Sequence, residues 1–386
     1  MSNVAKPKSD LSRAFSEDGA RKTHVGGQAL LEGVMMRGKY NWAVGVREPD
    51  GGVYEESHDL ASGRAKNGWM YWPCVRGCRA MVESLVLGYK ALEIAALHAF
   101  NEDEEDEAGS AISEPAAKSD GDAAFGKKEM AFSMVLGLVM GVVLFIVAPA
   151  FITNLLVGEY DAHTLAWNIV DGLLRVAVFV FYIWLIGRMS DIKRMFGYHG
   201  AEHKTIHCYE HGLPLTPENA RQFPRLHVRC GTAFLIMVMI IAILVYTVTP
   251  LNALISAWGV PDGAPKLALV IAARIALMPV IAGISYEITV RWAGSHPENP
   301  LVKVVLWPGM QMQYLTTNEP DDGMLECAIA AMQQVLEREE LEAAKAAAAS
   351  CSARPSPRRD WFAAQSFPRR PAGLSFAARW AATQTA

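Results

Sequence analysis

Four long apolar stretches constrain what this 386-residue chain can fold into. The first and third contain no charged residue, and the second and fourth contain two each. A helix of about 20 apolar residues crosses the hydrocarbon core of a bilayer, and uncharged apolar runs of this length are rare in soluble proteins. The sequence therefore predicts an α-helical integral membrane protein with about four transmembrane helices, at residues 132–157, 165–186, 233–254 and 267–290.

The distribution of basic residues predicts the orientation of these spans. One end of each span is flanked by lysine or arginine, at Lys127, Lys128, Arg188, Lys193, Arg194, Arg225, Arg229, Arg291 and Lys303. In the loops at the opposite ends, 158–164 and 255–266, Lys266 is the only lysine or arginine. Because cytoplasmic loops carry an excess of Lys and Arg, we expect a multi-pass protein of the cell (inner) membrane with both termini in the cytoplasm.

Composition excludes several other classes of protein. A formal net charge of -4 argues against a nucleic-acid partner, which needs a basic face to bind phosphates. The six cysteines are too few and too scattered for a disulfide framework, and reduced thiols suit a cytoplasmic location. The polar N-terminal residues are not followed by an apolar stretch, so we do not expect a secretory signal peptide.

Residues 24–98 predict a small N-terminal β-containing cytoplasmic module with an amphipathic helix. Strand-like runs at 28–36 and 42–47 are separated by Arg37-Gly38-Lys39, which is a turn signal. Residues 76–98 place apolar side chains on one side of a helix. This helix either lies on the membrane surface or packs on the β-module.

The remaining segments are predicted from composition and length. Three segments are predicted to be disordered: residues 1–23, the acidic linker at 101–128 and the tail at 351–386. The four-helix membrane domain is predicted at 129–293, with a cytoplasmic histidine-rich loop at 187–232. A C-terminal cytoplasmic segment with a helix follows at 294–349.

The histidine-rich loop contains the pattern H-x-x-E-H at His199, Glu202 and His203, which is known from inverted zinc peptidases. On a helix with about 100° per residue, His203 lies about 40° from His199, and Glu202 about 60° to the other side. All three side chains can therefore point into one cavity. Two imidazoles one turn apart can bind a divalent metal, most simply zinc, and Glu202 is the candidate general base.

A catalytic zinc usually has three protein ligands and one open position. His227 is the favoured third ligand, because it precedes the third apolar stretch and offers a ring nitrogen. Cys230 and Glu287 are reserve candidates for the third ligand. Cys230 lies beside His227, and Glu287 lies near the cytoplasmic end of the fourth stretch. A solvated helix that happens to be rich in histidine is the alternative interpretation.

Several motifs resemble the bacterial YqhQ-like family: residues 25–37, 198–205, 227–232, 282–287 and 315–322. The resemblance covers roughly residues 24–335. Members of this family are described as integral membrane proteins and predicted metal-dependent enzymes. The resemblance therefore implies a metal site in this chain, but it implies no substrate.

Three functional hypotheses follow. The first is a metal-dependent hydrolase at the inner membrane face, whose substrate reaches it from the bilayer as a lipid-linked molecule or a membrane protein. The second is a transporter or metal-handling protein, in which His207 and His211 also serve ion passage. The third is a non-catalytic scaffold for other membrane proteins.

Other polar residues have structural interpretations. Asp171 is one helical turn from Arg175 and can pair with it, and Arg274 lies at a similar depth in the fourth stretch. An inter-helix ion pair is favoured over a lipid head-group site. Gln28 and Glu32 are expected to share one face of a strand and to make structural hydrogen bonds.

Overall fold

The computed structural model describes residues 10–16, 24–60, 68–99, 132–133, 135–158, 164–249, 251–261, 263–293, 295–296 and 299–352. The linker predicted to be disordered at 101–128 lies outside these residues, as does the tail from residue 353 onward. The segment 1–23, which we expected to be disordered, contains a short helix, α1, at Asp10–Ser16. Ala14 of α1 is fully buried beside Leu226 and Met310.

The N-terminal module is a four-stranded antiparallel sheet in the order β1-β2-β3-β4. Its strands are β1 Gly26–Leu30, β2 Gly33–Arg37, β3 Asn41–Arg47 and β4 Val53–Asp59. The prediction of one strand over 28–36 is wrong, because the chain reverses at Glu32, which has a φ of 51°. Gln28 and Glu32 therefore do not share a strand.

Both faces of the sheet are buried, with alternate residues facing opposite sides. Helix α2, Val75–Ala99, covers the face that carries Met35, Trp42 and Val44. The other face carries Val34, Met36 and Ala43 and packs against two further helices, α5, Ser190–Glu210, and α11, Asp322–Ser352. The sheet thus positions one wall of α5.

Four helices are long and apolar enough to cross a membrane. They are α3, Val135–Val157; the core of α4, Thr164–Ile186; α7, Gly231–Val248; and α9, Ala264–Tyr286, which continues as a π-helix to Ala293. The third stretch was predicted to continue to residue 254. Instead, α7 ends at Val248, since Pro250 cannot donate to a helix, and a separate helix α8 follows at Leu251–Ala257.

A buried ion cluster joins α4 to α9, which confirms the expected inter-helix ion pair. Arg274 donates to the Asp171 carboxylate at 2.5 Å and to the Asn168 side-chain oxygen at 2.6 Å. Arg175 donates to the same carboxylate at 3.0 Å. The Arg274 guanidinium also lies 4.7 Å from the ring centre of Tyr246.

Helix α2 packs against the sheet and against the end of α9. Leu87, Ala91 and Ala95 face the sheet. Gly77 lies so close to Gly283 that a Cβ at residue 77 would be 2.9 Å from the Gly283 Cα. The opposite side of α2 is apolar and exposed, with Leu85 67% exposed.

The remaining helices are α6, Pro217–Arg221, and α10, Pro300–Thr316. Thr216 caps α6 by accepting from Asn219 N, and Pro217 occupies its first turn. Helix α10 was not predicted. Helix α11 begins at Asp322, and its residues from Glu340 onward belong to a second unit.

Candidate metal centre

Helix α5 is polar in sequence but buried along most of Phe196–Glu210. Because buried polar groups need hydrogen-bond partners, the surrounding backbone must supply them. Lys204, for example, donates to the carbonyl oxygens of Arg221 at 3.0 Å and Phe223 at 2.8 Å. The segment between α6 and α7 therefore runs along α5 with its carbonyl groups turned toward the helix.

Hydrogen bonds to backbone carbonyl groups also determine the tautomers of two histidines. Nδ1 of His199 lies 2.8 Å from the carbonyl oxygen of Thr316, and Nδ1 of His203 lies 2.6 Å from that of Arg225. A carbonyl oxygen only accepts, so each Nδ1 carries the proton and donates it. In a neutral ring Nε2 is then the acceptor, and Nε2 of His203 is buried with no partner among the residues described.

Cys230 completes this group. It is the N-cap residue of α7, and its sulfur accepts from Thr232 N at 3.4 Å. Its Sγ lies 3.2 Å from Nε2 of His199. The ligand atoms of His199, His203 and Cys230 all lie within 4.8 Å of one another, so one metal ion could contact all three.

The Cys230 thiol and the His199 imidazole shift each other's pKa. Burial raises the pKa of Cys230, but His199 and His203 lower it well below its ordinary value. Burial lowers the pKa of His199, but the Cys230 thiolate, with smaller contributions from Glu202 and the Thr316 carbonyl, raises it, and the resulting pKa is about 9. Cys230 therefore favours the thiolate, which is the form that binds metals. Metal binding would release the proton held by His199.

Glu202 lies beside this group and contacts the sheet. Its carboxylate accepts from the backbone N–H of Gly27, and its Oε2 has no hydrogen-bond partner within the described chain. Burial raises the pKa of Glu202, while His199 and His203 lower it; the net direction is upward. A Cβ at residue 27 would lie 2.8 Å from the Glu202 Cδ, so strand β1 fixes the place of this carboxylate.

The structure does not bring together the full set of ligands predicted from sequence. His227, in the segment before α7, instead lies in a second group with His207 and Glu210, which are further along α5. Glu287 is turned away from the histidines. It forms an ion pair with Arg76 and accepts from the backbone N–H of Cys74. Cys230, the reserve candidate, is the residue whose sulfur lies near the ring nitrogens of His199 and His203.

The donor set fits a zinc ion. Two imidazole nitrogens and one thiolate are zinc ligands, and three protein ligands leave a fourth position open. The Nδ1 hydrogen bonds to Thr316 and Arg225 are the contacts that orient metal-binding histidines in proteins. Cys230 and the exposed Gly231 stand at the start of α7, so this end of the group lies close to the protein surface.

Fold and site together define a class: a mostly helical protein with four candidate membrane-spanning helices, a small antiparallel sheet, and a polar centre at the start of one of those helices. The family model described as "Protein of unknown function (DUF1385)" matches residues 72–338. "Uncharacterized protein YqhQ" of Bacillus subtilis (strain 168) is 32% identical over 320 residues, which cover 82% of this chain and 93% of that protein. The chain therefore belongs to the YqhQ-like family. No solved structure matches it, and neither description names an activity or a metal.

Proposed function

We propose that this protein is a metal-dependent membrane hydrolase. The observation that carries the proposal is the convergence of His199, His203 and Cys230, whose ligand atoms lie within 4.8 Å of one another. The buried Glu202 carboxylate lies beside them and has one oxygen without a partner among the described groups. Three metal ligands and an adjacent carboxylate are the minimum apparatus for metal-assisted hydrolysis.

Each residue has a separate role in this proposal. His199, His203 and Cys230 hold the ion, and the carbonyl oxygens of Thr316 and Arg225 hold the two rings in place. A bound zinc would act as a Lewis acid and lower the pKa of water. Glu202 accepts a proton from the attacking water and passes it to the leaving group. Gly27 holds the carboxylate through its backbone N–H.

The four apolar helices support placement of the protein in the cell membrane, with the metal centre at the cytoplasmic face. The basic residues that flank the spans support cytoplasmic termini. A substrate could then enter from the bilayer, as a lipid-linked molecule or a membrane protein. A reporter fused after Gly158 should behave as extracytoplasmic; cytoplasmic behaviour would overturn the topology.

The exposed apolar side of α2 supports the same placement. Trp69 and Trp72 lie just before the helix, and Val82, Leu85 and Val86 continue along its outer side, all at least half exposed. In the same region, Cys74 contacts Glu287 near the end of the fourth candidate span, and Cys78 contacts Pro279 within it. Tryptophan side chains are enriched at membrane–water interfaces, and helices with one apolar face lie along them. Both features support a position of α2 at the membrane interface.

Metal analysis of the purified protein in detergent tests the ligand set. Wild-type protein should retain zinc, and His199→Ala combined with His203→Ala should lose it from this site. The matched control combines His24→Ala with His296→Ala, because both of these histidines are exposed. Equal zinc content in the site variant and the control would remove the basis of the proposal.

A second measurement separates catalysis from metal handling. Glu202→Gln should keep the zinc, because Glu202 is not one of the three ligands. It should lower the hydrolysis of a chromogenic ester by about 100-fold, the usual contribution of a general base. An unchanged rate would favour the metal-handling alternative.

A further inference from the structure

We propose that the chain contains a second cation site, formed by His207, Glu210 and His227, which holds a structural divalent metal. The ligand atoms of these three residues lie within 4.8 Å of one another, and all three side chains are buried. The site shares no residue with the proposed catalytic centre, so it does not depend on the proposed function.

His207 is prepared for a ligand in the same way as His203. Its Nε2 lies 2.9 Å from the carbonyl oxygen of Leu226, so Nε2 carries the proton and Nδ1 is the acceptor. Nδ1 is buried and has no hydrogen-bond partner in the part of the chain that the structure describes. An imidazole nitrogen in this state costs free energy unless something binds it.

The backbone of His227 is held firmly. Its N–H donates to Oε1 of Gln313, and its carbonyl oxygen accepts from Nε2 of the same side chain, both at 2.8 Å. The ring is thereby placed beside His207, with ring centres 4.7 Å apart. A buried glutamine that holds both backbone groups of His227 makes this a built site rather than a chance approach of two rings.

Glu210 supplies the anionic ligand. Its Oε2 lies 3.7 Å from Nε2 of His227, and its Oε1 accepts from the guanidinium of Arg229. A metal-binding carboxylate is commonly held by such a hydrogen bond from a second side chain. Two imidazoles and one carboxylate are a zinc ligand set.

The guanidinium of Arg229 is the competing occupant, because it also lies 3.4 Å from Nε2 of His227. If Arg229 alone balances the charge of Glu210, the three side chains need no metal. The site contains a metal ion in the first arrangement and none in the second. Measurement of the metal content therefore distinguishes the two arrangements.

The first test counts zinc per chain in the full-length protein purified in detergent. Wild-type protein should contain two equivalents. His207→Gln combined with His227→Gln should contain one, and His199→Ala combined with His203→Ala should also contain one. Unchanged zinc content in the His207 and His227 variant would overturn the second site and leave the first intact.

A test on the wild-type chain avoids the risk that a buried substitution prevents folding. Cobalt(II) titration of metal-stripped protein should proceed in two phases. Only the phase at His199, His203 and Cys230 should produce a thiolate-to-cobalt charge-transfer band, because the second site has no sulfur. A single phase that carries this band throughout would contradict the second site, whereas two phases without the band would contradict the first.

Discussion

The ion cluster between α4 and α9 and the histidine cluster on α5 both bury polar side chains, but their partners differ. Between these two apolar helices, the Asp171 carboxylate contacts the guanidinium groups of both Arg175 and Arg274. On α5, His199 and His203 bind backbone carbonyl groups through one ring nitrogen, and their other nitrogens turn toward the Cys230 sulfur.

This difference distinguishes a structural cluster from a cluster that could bind a cation. In the ion cluster, guanidinium donors meet a carboxylate directly, so the attraction of opposite charges offsets part of the cost of burial. In the histidine cluster, acceptor atoms converge on one another, which is unfavourable unless a proton or a cation lies among them. We therefore expect the ion cluster to determine stability and the histidine cluster to determine metal content.

The largest expected effect is that of Asp171→Asn. The substitution removes the carboxylate between two buried arginines and leaves their charges uncompensated, which should destabilise the protein by about 3–5 kcal/mol. Thermal unfolding in detergent measures it. Asp59→Asn is the control: Asp59 also pairs with an arginine, Arg338, but its side chain is 71% exposed, so its loss should cost about 0–1 kcal/mol.

Equal destabilisation by Asp171→Asn and Asp59→Asn would contradict a structural role of the buried cluster, because the cluster would then contribute no more than a surface ion pair. Zinc content should be the same in both variants. A loss of zinc in folded Asp171→Asn would show that the two clusters are coupled.

Gly27→Ala should have an intermediate effect, and it acts on the histidine cluster. The added methyl group would lie 2.8 Å from the Glu202 side chain and from the carbonyl oxygen of Met35, so the strand and the carboxylate must move apart. Overpacking of this kind costs about 1–3 kcal/mol. Zinc content should persist, while hydrolysis of the chromogenic ester falls because Glu202 is displaced.

Gly26→Ala is the matched control, since a Cβ at residue 26 has nothing within 4 Å. It changes the same residue type in the same strand without contacting Glu202. If both variants lowered ester hydrolysis equally, strand β1 would not be positioning Glu202.

The sequence predicted the features that depend on local spacing. The four apolar helices and the placement of His199, Glu202 and His203 on one side of a helix both follow from residues near one another in the chain. Membership of the YqhQ-like family also followed, from several motifs in order. The metal chemistry that the resemblance implied stays a prediction.

The features that sequence reasoning missed depend on the path of loops. His227 and Cys230 are three residues apart, and spacing alone does not say which of them faces His199. The carbonyl of Thr316, which orients His199, is 117 positions away along the chain. The turn at Glu32 was missed because apolar residues continue on both sides of it, and its backbone conformation favours glycine over glutamate.

Glu32→Gln should have the smallest effect on stability. It tests an ion pair that is partly exposed to solvent, in contrast to the buried ion cluster. Glu32 accepts from Arg194 at 2.6 Å and from the Tyr198 hydroxyl at 3.1 Å, but the Arg194 side chain is 52% exposed. Hydrogen bonding by Arg194 lowers the pKa of Glu32 below its ordinary value, although burial opposes this. The variant should therefore lose only about 1 kcal/mol or less at neutral pH.

The sign of the pH dependence follows from that lowered pKa. Because the folded pKa of Glu32 lies below the unfolded one, its stabilisation is fully present above about pH 4.3 and is lost as the pH falls through the folded value. Thermal unfolding of wild-type and Glu32→Gln protein should differ at pH 7 and converge in acid. A difference that persisted in acid would mean that Glu32 stabilises the turn through its shape rather than its charge. Pairing of opposite charges would then not explain stability at this position.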